Sequence, residues 1–232
     1  MPLCKEITKK GAQTFLKKHG LNLEDDFVTL HLRESGYFDG EQHAWRNINL
    51  DDHLEAIKHL TEQGIKVVRI GHKKMKQAPD IPGLIDLSGF DRPPEVDIFL
   101  SAACLFFYGS PSGPCSLAYQ FGRPMLLVSV FPYAHARPNS LNQLVPLVEI
   151  GSSKTLSLKE LYERDLSNIF SPIPYKRMGI EICKISAVEN INAVKEMLIK
   201  LNSLNQDVSA DTMSGIGLPD NIWITDNSKL LL

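Results

Sequence analysis

Four short apolar segments, each separated from the next by helix-like sequence, restrict this chain to few folds. FVTLHLR (27–33), IKVVRIG (65–71), LFFYG (105–109) and MLLVSV (125–130) are rich in β-branched and aromatic residues and apolar almost throughout. Such runs suit strands covered on both faces, as in a parallel sheet. The segments between them carry helix signals. Asn49 is placed to cap a helix, Asp51 and Asp52 fall in its first turn, and Leu50, Leu54, Ile57 and Leu60 share one face before Gly64 ends it. Pro93 and Pro94 open a second helix that runs to about Ala103. Ser112 or Gly113 opens a third, with Pro114 in its first turn and Gly122 and Pro124 at its end. A short strand is expected around LIDL (84–87). The alternation predicts an α/β fold, a Rossmann-like parallel sheet with helices on both faces.

The flanking segments divide the chain into three parts. Residues 1–24 read as an N-terminal helical segment, with a basic helix over 5–19 that ends near Gly20. Residues 25–204 form the Rossmann-like lobe, and 205–232 a loop and C-terminal tail. Capping-box patterns at Ser157/Glu160 and Ser186/Glu189 start two later helices. The second is expected to reach about Leu201, with Val188, Ile191, Val194, Leu198 and Leu201 inward. Trp223 and Ile224 suggest that the tail docks back.

Composition excludes several classes. With 43% hydrophobic and 22% charged residues among 232, the chain reads as a globular protein with ample core. A net charge of −2 lacks the basic surplus of a nucleic-acid binder. No apolar run approaches the roughly 18 residues of a membrane span. The N-terminus MPLCKEITKK has no signal-peptide core. Cys4, Cys104, Cys115 and Cys183 make no CxxC pair, and the histidines do not fall at metal-ligand spacing. Cys104 reads as a core thiol, and His53 and His59 as surface residues of a helix. These features predict a cytoplasmic protein without a bound metal.

In an open parallel sheet, ligands bind beyond the carboxyl ends of the strands. After the first strand, His31 and Arg33 are two residues apart and so share a face. Arg33 could offer a fork of donors to a diphosphate or pair with a core carboxylate. Gly71, after the second strand, permits close approach, while His72, Lys73 and Lys74 read as a solvated turn. After LFFYG comes SPSGPCSLAYQFGRP (110–124). Ser110, Ser112 and Gly113 supply hydroxyls and open amides where a helix begins, a natural anion site. This stretch carries neither a Walker A lysine nor the GxGxxG fingerprint, so the residues alone leave phosphate cradle and plain connection both open. Asp97 could orient the serine turn or face solvent.

At HLRESGY (31–37), the VDIFLSAACLFFYGSPSG stretch (96–113) and FGRPMLLVS (121–129), the chain resembles a family of bacterial glycosyltransferases near the fucosyltransferase-like proteins. RN (46–47), LEAIKHLTEQGIKVVRIG (54–71), PNSLNQLVP (138–146) and GIEICKISAVENINAVKEML (179–198) extend the resemblance over about residues 10–200. It implies one lobe of a GT-B enzyme, the lobe that binds a nucleotide-diphosphate sugar. By position, His31 and Arg33 would grip the donor diphosphate, Ser110, Ser112 and Gly113 would contact the phosphates, and Asp97 would belong to the donor site. Arg46 is a family-like position and is placed in the same donor set with Gly71.

The implied reaction is sugar transfer to a glycan or lipid-linked acceptor in surface-polysaccharide synthesis, with no cofactor or metal beyond the donor. Arg33 would offset leaving-group charge, and Glu34, Asp39 or His43 would be the general base, or a second lobe would supply it. A GT-B enzyme has two lobes and 232 residues suffice for one, so a separate acceptor-binding lobe is expected as partner. The location implied is cytoplasmic, with peripheral attachment at the inner membrane face as an option. The alternatives are a non-catalytic nucleotide- or partner-binding module, or another doubly wound enzyme such as a phosphatase or pyruvyl transferase.

Overall fold

The computed structural model describes residues 11–35, 45–138, 140–207 and 223–224, which form two compact units divided after Met125. In the first unit, helix α1 (residues 11–18) ends at Gly20, whose φ of +88° suits a residue without a side chain. The strands are β1 (Phe27–His31), β2 (Lys66–Arg69), β3 (Leu84–Asp86) and β4 (Phe107–Gly109), in the order β4-β1-β2-β3. The pairings β1–β2, β1–β4 and β2–β3 are all parallel, as the apolar runs predict. Val28, Leu30, Val67, Val68, Phe106 and Phe107 are fully buried. Removing such residues from water is the main favourable contribution to this core.

Helices connect the strands. A 3-10 turn, Leu50–His53, runs into α2 (Leu54–Glu62), and Asn49 accepts the Asp51 amide at 3.2 Å. The Pro-opened helix is α3 (Pro94–Ala103) and the serine-turn helix is α4 (Gly113–Gln120). Cys104 is completely buried, in keeping with a core thiol.

His53 is not a surface residue. It is 1% exposed, and its Nδ1 lies 2.7 Å from the hydroxyl of buried Tyr108 on β4. The 3-10 turn before α2 directs His53 inward together with Leu50. A surface assignment based on α-helical spacing alone misses that rotation.

The second unit contains β5 (Met125–Val130), β6 (Ser140–Leu144) and β10 (Trp223–Ile224), ordered β10-β6-β5. Trp223 and Ile224 form β10, which pairs with β6 in parallel. A separate antiparallel sheet orders β8 (Lys154–Thr155), β7 (Leu147–Glu149) and β9 (Ile180–Ile182) as β8-β7-β9. Around it are α5 (Leu158–Glu163) and α6 (Pro172–Arg177), followed by α7 (Ala187–Asp207).

Both capping boxes form. Ser157 N and Ser186 N donate to Glu160 and Glu189 at 2.9 and 2.8 Å. The inward face of α7 differs from expectation. Asn190, Ala193, Val194 and Met197 are buried, whereas Val188 is 67% exposed. The buried set keeps the i, i+3, i+4, i+7 rhythm but is centred on small and flexible residues. Counting branched aliphatics alone rotated the predicted stripe.

Candidate functional site

The carboxyl ends of β1 and β2 and the start of α4 enclose a cleft of about 270 Å³ in the first unit. His31 lines it from the end of β1, Leu32, Arg33 and Glu34 from the segment after β1, Ile70, Gly71, His72 and Met75 from the segment after β2, and Ser112, Gly113 and Pro114 from the start of α4. Three segments far apart in sequence therefore meet at one sheet edge, where an open parallel sheet binds its ligands.

Close strand pairing builds the serine turn. His31 stands opposite Gly109 in the β1–β4 register. A Cβ on Gly109 would lie 2.2 Å from the His31 carbonyl oxygen, so only glycine permits this approach. Ser110 N donates to that carbonyl at 3.1 Å. The Ser110 hydroxyl, 3% exposed as a residue, accepts the Arg33 amide at 2.9 Å. Ser110 is thus turned inward, tying the turn to the segment after β1, whereas Ser112 and Gly113 face the cleft. Arg46 donates to the Pro111 carbonyl at 2.9 Å and fixes the turn from outside the cleft lining. Burial first, and then the nearby Arg33 charge, pull the Arg46 pKa down.

Ser112 Oγ donates to the Ser110 carbonyl at 3.0 Å and stands 3.0 Å from His31 Nδ1. With its hydrogen given to Ser110, the hydroxyl accepts from the imidazole, which assigns the proton to Nδ1. Burial is the main reason that the His31 pKa falls to about 4, and the Arg69 charge adds to it. At neutral pH His31 is an uncharged ring that orients Ser112. Positive character at this end of the cleft comes from Arg33 and the Gly113 amide, aided by the helix dipole; Pro114 has no N–H, the Cys115 amide is capped by Ser112, and the Ser112 amide is turned to Cys115 Sγ at 3.4 Å. Glycine at 113 leaves the approach to its own amide unobstructed, since nothing lies within 4 Å of a Cβ built there.

The opposite wall is ionic. Arg69, on β2, is 0% exposed. Its Nη2 meets Glu34 Oε1 at 2.6 Å and its Nη1 meets Asp86 Oδ2 at 2.6 Å. Ser88 Oγ and the Lys76 carbonyl accept further bonds from it at 3.0 and 2.9 Å. The β2–β3 register, Arg69 opposite Asp86, creates this contact. Arg69, inside β2, is an arginine with core-carboxylate partners. Its signal was present: an arginine inside VVRI has to bring counter-charge into the core, and LIDL carries it one strand away.

Asp97 does not line the cleft. It pairs with Arg92 through both oxygens, at 2.5 and 3.1 Å, and Arg92 Nη2 reaches the Gly71 carbonyl at 3.2 Å. Its link to the cleft runs through the Gly71 loop. Asp39 and His43 lie outside the described residues. Among the described residues, no group of three His, Cys, Asp or Glu side chains is arranged to hold a metal ion, and no helix is long and apolar enough to cross a membrane.

No family model and no curated protein matches the sequence. Solved structures do match. The glycosyl transferase family 9 structure from Veillonella parvula DSM 2008 aligns at 15% identity with a TM-score of 0.50, covering 84% of this chain and 52% of that one. Two further similar structures are of TibC. The iron-containing heptosyltransferase in complex with ADP-D-beta-D-heptose aligns at 17% identity, TM-score 0.46, over 77% of this chain and 46% of that one. The iron-containing dodecameric glycosyltransferase from enterotoxigenic E. coli H10407 aligns at 18% identity, TM-score 0.43, over 76% and 46%. The chain spans about half the length of these structures. At such identities the likeness concerns architecture. The chain has the α/β fold of one lobe of a GT-B glycosyltransferase.

Proposed function

We propose that the first unit binds the diphosphate of a nucleotide sugar and that the chain serves as the donor-binding lobe of a glycosyltransferase. One observation carries this reading: the amino end of α4, with the Gly113 amide, lines the same cleft as Arg33 at the carboxyl edge of the sheet. An amide at a helix start and a guanidinium fork are complementary to a diphosphate. The same groups would stabilise that diphosphate as it leaves. His31 and Ser110 act one step back, holding Ser112 and the Arg33 backbone. Asp97 and Arg46 brace the Gly71 loop and the serine turn. Glu34, in the cleft lining, is the general base of this reading. The acceptor, a glycan or lipid-linked sugar, would be presented by a second lobe. The fucosyltransferase-like pattern at HLRESGY supports the donor assignment but not a particular sugar.

A second reading rests on the same alignments. Because the chain spans about half of its structural matches, a lobe that binds nucleotide without transferring sugar fits the cleft equally well. Sugar-nucleotide turnover by the purified chain separates the two.

Calorimetric titration with GDP, UDP and ADP tests the shared claim. Saturable binding of at least one is expected, weakened by about 1.5–3 kcal/mol in Arg33→Ala through loss of a charge-assisted contact. Equal affinity in the variant would remove Arg33 from the site.

A further inference from the structure

The buried ionic cluster contains two carboxylates and one guanidinium. Arg69 is shared between Glu34, whose side chain is 8% exposed, and Asp86, at 16%. The carboxylates are not equivalent. Asp86 accepts the Ala78 amide at 2.9 Å on the oxygen that meets Arg69, and the Ser88 amide at 3.0 Å on the other. These backbone donors stabilise its charged form. Glu34 relies mainly on Arg69, with a smaller contribution from the Lys76 amide, and it is the carboxylate that lines the cleft. The other groups around it are accounted for. His31, Arg33 and His72 line the same cleft, and the Lys76 ammonium is turned to Asp51 at 2.8 Å.

We infer that Asp86 is a positioning residue that competes with Glu34 for Arg69, leaving Glu34 as the carboxylate able to take up a proton at the cleft. Burial raises the Glu34 pKa above 4.5, and the Asp86 charge adds to the rise, which agrees with this asymmetry. The consequence for transfer rests on the reading above. The acceptor oxygen would bond to the anomeric carbon, the bond to the diphosphate would break with its electron pair leaving on the diphosphate, and the hydroxyl proton would pass to Glu34. A glutamate bound to an arginine of its own would be a poor base. Sharing the arginine restores its basicity.

The test needs neither nucleotide nor turnover. The full chain is labelled with carboxyl-¹³C glutamate, the Glu34 signal is assigned by its loss in Glu34→Gln, and its titration is followed by NMR. In the wild type the midpoint should lie above 4.5, and in Asp86→Asn, where Arg69 serves Glu34 alone, it should fall by about one pH unit or more. An unchanged midpoint in Asp86→Asn overturns the inference. Should that variant not fold, a wild-type midpoint at or below 4.5 overturns it equally. Failure of nucleotide binding would sink the donor-lobe reading and leave this titration untouched, so the two claims fail separately.

Discussion

The two walls of the cleft solve the problem of polar groups at a buried sheet edge in opposite ways. The α4 side is neutral: a serine turn, an uncharged imidazole and the Gly113 amide. The β2 side is ionic: Arg69 fully buried between Glu34 and Asp86. In the neutral wall the hydroxyls of Ser110 and Ser112 are used internally, and the Gly113 amide is the backbone donor offered to an incoming anion. In the ionic wall the arginine is already matched by carboxylates, so it contributes shape and proton affinity in place of anion binding. A count of cations near the cleft would have ranked Arg69 with Arg33, although their partners give them different jobs.

Breaking the ionic wall should have the largest effect. Arg69→Met removes the cation and leaves two buried carboxylates facing each other. A loss of about 3–5 kcal/mol in urea unfolding is expected. A loss near zero would mean that water compensates these charges, and the contrast between the walls would disappear.

The neutral wall should break through sterics. Gly109→Ala places a methyl group against the His31 carbonyl, and since backbone cannot yield as a side-chain tip does, a cost of about 1–3 kcal/mol is expected. The β1–β4 pairing should also shift, visible in the amide signals of His31 and Ser110.

pH sharpens the comparison, because a buried neutral histidine and the buried Glu34 respond with opposite sign. Burial pulls the His53 pKa down to about 3 from 6.5, so on acidification the unfolded chain takes up the proton first. Its contribution is intact above 6.5 and is lost progressively as pH falls toward 3, reaching about 1.4 kcal/mol by pH 5.5. His53→Gln should show that much less destabilisation between pH 7.5 and 5.5 in denaturant melts. Glu34, whose pKa is raised, binds its proton more tightly when folded, so its contribution is present at low pH and is lost as pH rises through the window above 4.5. Equal pH dependence in wild type and His53→Gln would mean that burial does not hold His53 neutral in the folded chain.

The neutral wall was largely legible in the sequence and the ionic one was not. The strands, the proline-opened helices and the SPSG turn announce themselves through local chemistry: apolar runs, φ preferences and caps. The grouping of His31, Arg33, Ser112 and Gly113 followed from strand order alone, since each stands at the carboxyl end of its strand or just beyond it. The Arg69 cluster depends on which residues of β2 and β3 stand opposite each other, and a single sequence does not state register. Asp97 illustrates the same limit. Its position beside the serine-turn segment suggested a direct contact, while its partner Arg92, five residues earlier, directs it to the Gly71 loop. His53 was hidden by a 3-10 turn that changes the helical phase before α2 begins.

Amide NMR during titration with nucleoside diphosphates tests the central claim most directly. If the cleft receives a diphosphate at the start of α4, the Ser112 and Gly113 signals should move saturably, together with those of residues 31–34, and both sets should respond more weakly in Arg33→Ala. Shifts confined to other parts of the chain, or none with GDP, UDP or ADP, would contradict the account.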